Sequence, residues 1–496
     1  MRSSRAREKT RLRGAGSAQL CLPFNFLQAP ERAQAAAAPA ASHVYTVPAS
    51  APFLPTLIRA LRDGRLIEGF TPSPLDYADV TIFLPTRRAC RLARDAFLEV
   101  LGVEAAVLPR IVPVGDIDED ELIFAGMATG DLAADALALP PALPPLERRF
   151  LLAQLVRKWA ERIAPAPGEA PVVVRHPAAA LALADDLARL MDDMTTREVP
   201  WSRLDGLVPD ELDRYWQLTL RFLSIAREAW PAILAERGAI EPAERRDRLI
   251  AAEAVRLAEH PGRPVIAAGS TGSMPSTAKL LTAISRLRHG AVVLPGLDTE
   301  LDEQSWDAIG GAPPCHPPLP PVAGHPQAAM HGLLRRMGIA RRDVAILAPP
   351  SPHGRETLMS EALRPAAATD KWRSRLETIG AAAAARALDG VTAIEATNAE
   401  EEALAIAVVL RESMTKQDLT AALVTPDRAL ARRVAVMLRR WNVEAEMSDG
   451  EPLAETAAGV FCRLVADAAL RRLAPVPLLA LLKHPLARFG LATGRM

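Results

Sequence analysis

Short apolar runs that alternate with helical patterns are the feature that most restricts how this chain can fold. The runs at residues 44–47, 80–84, 265–268 and 291–294 are too short for helices and end at turn-forming residues, which is typical of buried strands. Apolar residues at helical spacing follow the first two runs. Strands that are joined through helices lie parallel in one sheet, because each crossover returns the chain to the same end. We therefore predict an α/β fold.

The middle of this region departs from that alternation. Between about residues 116 and 259 the strand signals fade, and apolar stripes at helical spacing replace them, such as Leu187, Met191 and Met194. Strand patterns resume at residue 265. We therefore predict one parallel-sheet domain over residues 43–300 that a large helical insertion interrupts.

The chain before residue 43 differs in composition from the rest. Basic residues from Arg2 to Arg13 precede an Ala/Pro tract, and Pro23 interrupts an apolar stretch that is short for a signal peptide. We predict that residues 1–42 are a disordered tail or a mis-started segment.

A proline-dense segment lies at residues 310–324, and proline propagates neither a helix nor a central strand. We predict that it separates two halves of the chain, with a linker and a mixed region over residues 301–389. Beyond it the patterns alternate again, with strands at 391–395 and 419–424 and helices at 400–414 and 429–441. This alternation predicts that a second parallel-sheet domain begins at residue 390.

The overall charge excludes a strongly basic protein. The 496 residues contain 59 Lys and Arg against 59 Asp and Glu, so any nucleic-acid site has to be a local basic surface. Four widely separated cysteines form no C-x-x-C pair, which disfavours a zinc ribbon and fits a reducing cytoplasm. Prolines interrupt the uncharged stretch before residue 58, which argues against a membrane span. We predict a soluble, cytoplasmic protein.

The loop after the first strand has the position of a P-loop in nucleotide hydrolases. That motif needs glycines, whose backbone N–H groups approach the phosphates, and a lysine that reaches the terminal phosphate. Residues 48–53 contain neither, and Pro48 and Pro52 remove two N–H donors. We predict that this chain holds no cofactor and does not hydrolyse ATP.

Two other strand-to-helix loops carry polar residues that suit a phosphate. In the first, Thr86, Arg87 and Arg88 open a helix, so that a hydroxyl, two guanidiniums and backbone N–H groups can converge on an anion. A capped helix whose arginines pair with carboxylates explains these residues equally well. In the second loop, residues 270–272 are small enough for a sugar-phosphate backbone to approach, but they also suit a tight turn.

An acidic cluster at residues 116–121 has the composition of a metal site without its arrangement. Two-metal nucleases place carboxylates on separate elements beside a basic residue, whereas these carboxylates adjoin one another in the chain. We predict a solvated, acid-rich helix start. The histidines show no metal-binding or catalytic spacing either, so no catalytic residue and no metal ligand is assigned.

Three strings of residues are informative in combination. They are residues 81–89 (TIFLPTRRA), 267–275 (AAGSTGSMP) and 423–428 (LVTPDR), and a further run at 449–461 follows them. Together they resemble the AddB family, the second subunits of the AddAB helicase–nucleases of alphaproteobacteria. The resemblance extends from about residue 43 to the end of the chain.

The resemblance implies two RecA-like domains of the superfamily 1 helicase type, with helical insertions, followed by a RecB-type nuclease domain. It implies a non-motor subunit of a DNA double-strand break repair complex that guides DNA during end resection for homologous recombination. The implied partners are single- and double-stranded DNA ends and an AddA-like motor and nuclease subunit, which uses ATP and magnesium. The first two strings occupy places similar to helicase motifs that touch single-stranded DNA.

The three strings also end in loops that follow predicted strands. Ligands of open α/β sheets gather at the carboxyl ends of the strands, so we expect these loops to form one track for a sugar-phosphate backbone. The candidate DNA-binding residues are Thr86, Arg87, Arg88, Ser270, Thr271, Gly272, Thr425 and Arg428.

The chain departs from the family pattern at its end. Met496 comes before the later helicase motifs and before any nuclease signature, so the resemblance implies a truncated N-terminal portion that is inactive as an enzyme alone. Two alternatives stay open: a helicase-derived protein-interaction scaffold that binds no DNA, and a nucleotide-dependent transferase, which no base or metal cluster supports.

Overall fold

Six parallel strands form one sheet in the computed structural model of this protein. The strands are β1 (Val44–Val47), β2 (Thr81–Leu84), β3 (Arg110–Pro113), β4 (Val265–Ala268), β5 (Gly290–Pro295) and β6 (Ala345–Ile346). Their order across the sheet is β3-β2-β4-β5-β1-β6, and every pairing between neighbours is parallel. The predicted α/β class with a parallel sheet is confirmed.

The sheet belongs to the first of two units. The structure describes residues 43–114, 139–162, 176–204, 219–220, 222–259, 262–311, 320–416, 419–448, 450, 452–488 and 490. The first unit ends at Asp389 and the second begins at Gly390. Residues 1–42, predicted to be a tail or a mis-started segment, lie outside the described residues.

The first unit contains helices that cover both faces of the sheet and helices that pack in a core apart from it. They are α1 (Phe53–Arg62), α2 (Arg87–Leu101), α3 (Pro145–Arg162), α4 (Pro177–Thr196), α5 (Trp230–Arg237), α6 (Pro242–Glu259), α7 (Pro275–Ser285), α8 (Glu303–Ile309), α9 (Ala328–Met337), α10 (Arg355–Ala362), α11 (Trp372–Ile379) and α12 (Ala381–Ala387).

Successive side chains of the buried strands β2, β4 and β5 point into different cores, as the period of two in a strand requires. Ile82 and Leu84 of β2 pack in the core under α1 and α2. Phe83 between them packs in the opposite core, which helices α6, α7, α8 and α9 complete. Apolar residues on both sides of a strand are what a parallel sheet between two helical layers needs. The sequences of these strands are therefore continuous apolar runs rather than an alternation of apolar and polar residues.

The helices of the predicted insertion divide between two cores. Leu152 of α3, Leu187 of α4 and Trp230 of α5 are buried together in a core separate from the sheet. Ile250 and Leu257 of α6 are instead buried in the sheet core. The sequence placed α6 in the insertion, but α6 covers the sheet. Apolar periodicity reveals that a helix has a buried face, without revealing what that face packs against.

The chain after the proline-dense segment returns to the same sheet. β6 pairs with β1 through Tyr45–Ala345 and Thr46–Ile346, and Leu333 of α9 is buried in the sheet core. Residues 312–319 of that segment lie outside the described residues. The sequence predicts that this segment separates two halves of the chain, but the residues that follow it complete the first unit. Proline stops regular structure but does not decide where the next apolar face packs.

The second unit is helical in its described part. Its helices are α13 (Ala399–Met414), α14 (Arg428–Arg439), α15 (Ala457–Leu470) and α16 (Pro475–Leu482). Ala403, Ala407 and Val434 are among the few buried apolar residues that hold α13 against α14. The first two helices agree with the predicted helices at 400–414 and 429–441.

The two strands predicted in the second unit do not form. Residues 391–395 and 419–424 are described, and neither segment has regular secondary structure. Val391 and Val424 are exposed there. An apolar run becomes a strand only when a neighbouring strand satisfies its backbone N–H and C=O groups, and the described part of the second unit supplies no such neighbour.

Gly290 offers a test of how tightly the turn before β5 is packed. A β-carbon at this position would lie 2.0 Å from Ile284 O and 2.9 Å from Leu287 Cβ. We expect Gly290→Ala to lower the free energy of unfolding by about 1–3 kcal/mol, because the turn has to shift. Urea titration followed by circular dichroism measures the loss. Gly262→Ala is the control, since no described atom lies within 4 Å of its β-carbon position. Equal losses in the two variants would contradict this account.

Candidate nucleic-acid interface

Three strand-to-helix loops meet at the carboxyl edge of the sheet. β2 and β4 are direct neighbours, with Phe83 opposite Ala267, so the loops that follow them leave the sheet side by side. A β-carbon at Gly269 would lie 3.4 Å both from Pro85 Cδ and from Phe53 Cε1. The loop after β1 therefore also reaches this point. Of the loops that were predicted to contact DNA, the fold therefore brings together the one after β2, with Thr86, and the one after β4, with Ser270.

The loop after β2 places two arginines at the start of α2. Thr86 is the N-cap residue, and its hydroxyl accepts a hydrogen bond from the backbone N–H of Ala89 at 3.1 Å. Arg87 and Arg88 are the first residues of the helix and are exposed. The capping interaction uses an acceptor lone pair of Thr86, so the hydroxyl hydrogen can still be donated to an anion. The arginines and the positive end of the helix favour an anion at this position.

The loop after β4 is a tight turn that packs against the protein. Ser270 Oγ accepts a hydrogen bond from the backbone N–H of Gly272 at 3.3 Å. Gly272 has a φ of +65°, and a β-carbon there would lie 2.9 Å from Leu333 Cδ1. Ser270, Thr271 and Gly272 are half-buried. Both the turn and the contact with α9 require glycine, so Gly272 is explained without a ligand.

A carboxylate of the protein lies at the start of α7, just beyond this loop. Ser276 Oγ donates a hydrogen bond to Asp247 of α6 at 3.0 Å. Burial raises the pKa of Asp247, although the hydrogen bond from Ser276 and the charge of Arg246 oppose the rise. A carboxylate beside the first turn of α7 disfavours a phosphate there. Any phosphate contact of this loop is therefore expected at residues 270–272 rather than at the helix start.

The third predicted loop belongs to the second unit. Thr425 Oγ accepts a hydrogen bond from the backbone N–H of Asp427 at 3.0 Å. The Asp427 carboxylate caps α14 by accepting from the N–H groups of Ala429 and Leu430. Arg428, the first residue of α14, is exposed. The expectation of two parallel sheets with one shared edge is not met, since this loop does not follow a strand.

The loop after β1 holds a carboxylate of the protein itself. The backbone N–H of Ser50 donates to Glu356 Oε1 of α10 at 3.1 Å, and Ser50 Oγ accepts from the N–H of Ser351 at 2.9 Å. Burial raises the pKa of Glu356, but hydrogen bonds from Ser50 and the nearby His353 outweigh burial and lower it. The ionised carboxylate occupies the side of the loop where a P-loop holds phosphate.

Sequence reasoning did not find Glu356. Ser50 and Glu356 are separated by 306 positions in the chain, and no local motif surrounds either residue. The contact depends on β6 pairing with β1, which brings the segment before α10 next to the first loop. Residues 348–355 contain only turn-forming signals that are common in surface loops.

Two further sequence predictions concern features that bear on metal and membrane binding. The acidic cluster at residues 116–121 lies outside the described residues. Across the described ranges, no three His, Cys, Asp or Glu side chains are grouped closely enough to hold a metal ion. Among the helices that the structure describes, none combines the length and apolar character needed to cross a bilayer.

Comparison with known proteins adds no family. No protein-family model matches the chain, and no curated protein matches it. The fold and the edge of the sheet described above are therefore the basis for a functional proposal, together with the resemblance of the three strings.

Proposed function

We propose that this chain is a non-motor subunit of a DNA double-strand break repair helicase–nuclease and that it guides DNA during end resection. The observation that supports the proposal most directly is the adjacency of the loops after β2 and β4, with Arg87 and Arg88 exposed beside them. Thr86, Ser270 and Thr271 add hydroxyl groups at the same edge. Such a surface suits contact with a sugar-phosphate backbone.

The proposal includes the partners and the larger architecture that the resemblance implies. An AddA-like motor subunit in the cytoplasm supplies ATP hydrolysis with magnesium. The second unit, whose described part is helical, is proposed to be the start of another RecA-like domain. The six-stranded parallel sheet and its helical insertion are compatible with the first such domain. The net charge of zero makes DNA binding depend on local arginines rather than on a long-range field.

The test is a measurement of single-stranded DNA binding by fluorescence anisotropy at low salt. We expect the variant Arg87→Ala/Arg88→Ala/Arg428→Ala to bind more weakly by about 1–3 kcal/mol, on the scale of charge-assisted hydrogen bonds. The affinity should also fall as salt rises and should not depend on base sequence. The double variant Arg87→Ala/Arg88→Ala separates the contribution of the first unit from that of Arg428 in α14.

The matched control removes three exposed arginines elsewhere in the first unit. Arg157→Ala/Arg189→Ala/Arg342→Ala changes the net charge by the same amount, and all three side chains are more than half exposed. We expect it to bind DNA almost as well as the original protein. Equal weakening in both triple variants would indicate a general charge effect. Unchanged binding in Arg87→Ala/Arg88→Ala/Arg428→Ala would argue against this interface.

A protein-interaction scaffold without DNA binding is the second candidate. Exposed apolar side chains in the second unit favour it, since Val424, Leu470 and Val476 are 94%, 84% and 80% exposed. Contiguous exposed apolar patches are common at sites of protein contact, so these side chains favour the scaffold only if they adjoin one another. Failure of the protein to bind DNA in the presence of its motor partner would make the scaffold the better account.

A further inference from the structure

Arginines cover the exposed face of α14 in the second unit. Five of them are exposed in this helix and directly after it, namely Arg428, Arg432, Arg433, Arg439 and Arg440. Residues 428–443 contain no Asp or Glu. Residues 390–496, which form the whole second unit, contain equal numbers of basic (Lys, Arg) and acidic (Asp, Glu) residues. The helix therefore concentrates positive charge within a neutral unit.

The arginines fall in two rows along this face. With about 3.6 residues per turn, one row holds Arg428, Arg432 and Arg439. A second row, about 110° around the helix axis, holds Arg433 and Arg440. The apolar residues that pack α14 against α13 lie on the opposite side of the helix. Both rows are therefore on the side that is open to a partner.

Local helix stability does not explain this arrangement. The last two arginines interact favourably with the helix dipole, but Arg428 lies in the first turn, where a positive charge is unfavourable. Arg428 and Arg432 are also four residues apart, and like charges at this spacing repel one another. Glu455 compensates one of the charges, since it pairs with Arg432 at 3.0 Å. A polyanion would compensate the whole face.

The shape of this face fits the major groove of duplex DNA. An α-helix with its side chains is about 10–12 Å across, and the groove is about 12 Å wide with phosphates along both sides. Single-stranded nucleic acid is instead held by aromatic side chains that stack on its bases. Residues 428–440 contain no aromatic residue. Trp441 is half-buried, and the Arg411 guanidinium covers its ring at 4.7 Å.

We propose that α14 binds duplex DNA in the major groove, with its two arginine rows on the phosphates of the two strands. Val436, which is 59% exposed and lies between the rows, faces the base edges. Contacts of this kind position the duplex and depend little on its sequence. The surface belongs to the second unit and shares only Arg428 with the proposed single-strand interface. Either proposal can therefore fail without the other.

Fluorescence anisotropy of the full chain at low salt tests the proposal, with a blunt duplex of about 20 base pairs, which is two helical turns. We expect Arg433→Ala/Arg439→Ala/Arg440→Ala to bind at least about tenfold more weakly than the original protein. The slope of log K against log salt should fall by about 2–3 in this variant, because each phosphate contact contributes about 0.9. The triple variant of exposed arginines in the first unit, described above, is the control. Absence of duplex binding by the original protein, or equal binding by the two triple variants, would overturn the proposal.

Two further measurements test the groove and the pairing of Arg432. Duplex RNA should bind at least about tenfold more weakly than duplex DNA, because the major groove of RNA is deep and narrow. Glu455→Gln releases Arg432 and should strengthen binding of duplex DNA several-fold. Glu377→Gln, an exposed position on α11, removes the same charge elsewhere and should leave binding unchanged.

Three outcomes of these measurements would contradict the proposal. Equal binding of duplex RNA and duplex DNA would exclude the major groove as the site of contact. Binding by Glu455→Gln that is no tighter than binding by Glu377→Gln would exclude a contact through Arg432. Competition between phosphatidylserine vesicles and the duplex for the original protein would assign the arginine face to a membrane surface instead.

Discussion

Replacing Arg364 by alanine is expected to lower the free energy of unfolding of the first unit by about 3–5 kcal/mol. The Arg364 side chain is fully buried and pairs with Glu361 at 2.7 Å and with Asp302 at 2.5 Å. The hydrogen bond to Glu361 raises the pKa of Arg364, although burial opposes the rise. Burial raises the pKa of Asp302, but hydrogen bonds from Arg364 and Lys371 hold that pKa well below its usual range. Removing the guanidinium leaves two ionised carboxylates without their main partner.

Urea titration followed by circular dichroism and tryptophan fluorescence measures this loss. Arg342→Ala is the control, because the Arg342 side chain is 80% exposed and its nearest carboxylate oxygen, on Asp343, is 4.0 Å away. We expect the control to change stability by less than about 0.5 kcal/mol. Arg364→Lys should lie between the two, since an ammonium cannot make the bidentate contact. A loss in Arg364→Ala no greater than in Arg342→Ala would show that this network is not stabilising.

The purified protein is expected not to hydrolyse ATP at a measurable rate, even with single-stranded DNA present. Phosphoryl transfer depends on an N–H cradle and a lysine that stabilise charge in the transition state. Residues 48–53 contain no glycine and no lysine. The N–H of Ser50, a donor that a phosphate would need, is bound to Glu356. The ionised carboxylate also repels a phosphate from this loop.

The expected turnover is below about 0.1 per second, against typical enzyme rates of order 10 per second. A coupled assay with excess ATP and magnesium measures it across the fractions of a gel-filtration run. Turnover above that rate that co-elutes with the protein would contradict the prediction. Turnover that elutes elsewhere identifies a contaminating helicase or ATPase, and the measurement is then repeated on the separated fractions.

The strands that are buried on both faces were predictable from the sequence. β1 and β4 have the predicted bounds, because a parallel strand between two helical layers is apolar at nearly every position, Thr46 being the exception in β1. α2 was predictable for a related reason, since one buried stripe and one charged face define an amphipathic helix. Thr86 at the N-cap of α2 was predictable as well, because a threonine there accepts a hydrogen bond from one of the first N–H groups of the helix.

Two strands were not predictable in this way. β3 is four residues long and ends in Pro113, and β6 has only two residues, both exposed. Neither carries enough apolar signal to stand out from a loop. Both lie at the edges of the sheet, where pairing with one neighbour stabilises a segment that would not form a strand by itself.

The reverse error occurred at residues 391–395 and 419–424. Their side chains favour strands, but the described part of the second unit contains no neighbour that could pair with them. Strand propensity describes how a side chain fits a sheet, and it has no effect where no sheet exists. Local sequence therefore predicted the helices α13 and α14, but not that the described segments before α13 and between the two helices form no strand.

The sequence by itself determined the α/β class, the buried strands, the positions of Thr86, Arg87 and Arg88 at a helix start and the lack of glycine and lysine in the loop after β1. These features depend on residues that are near one another in the chain, so composition and spacing report them. Only the tertiary structure decided that α6 covers the sheet, that β6 returns to β1 and that Glu356 bonds to Ser50. Such contacts join distant segments through the packing of apolar faces. The hydrophobic effect is non-directional, so an apolar face does not specify which segment packs against it.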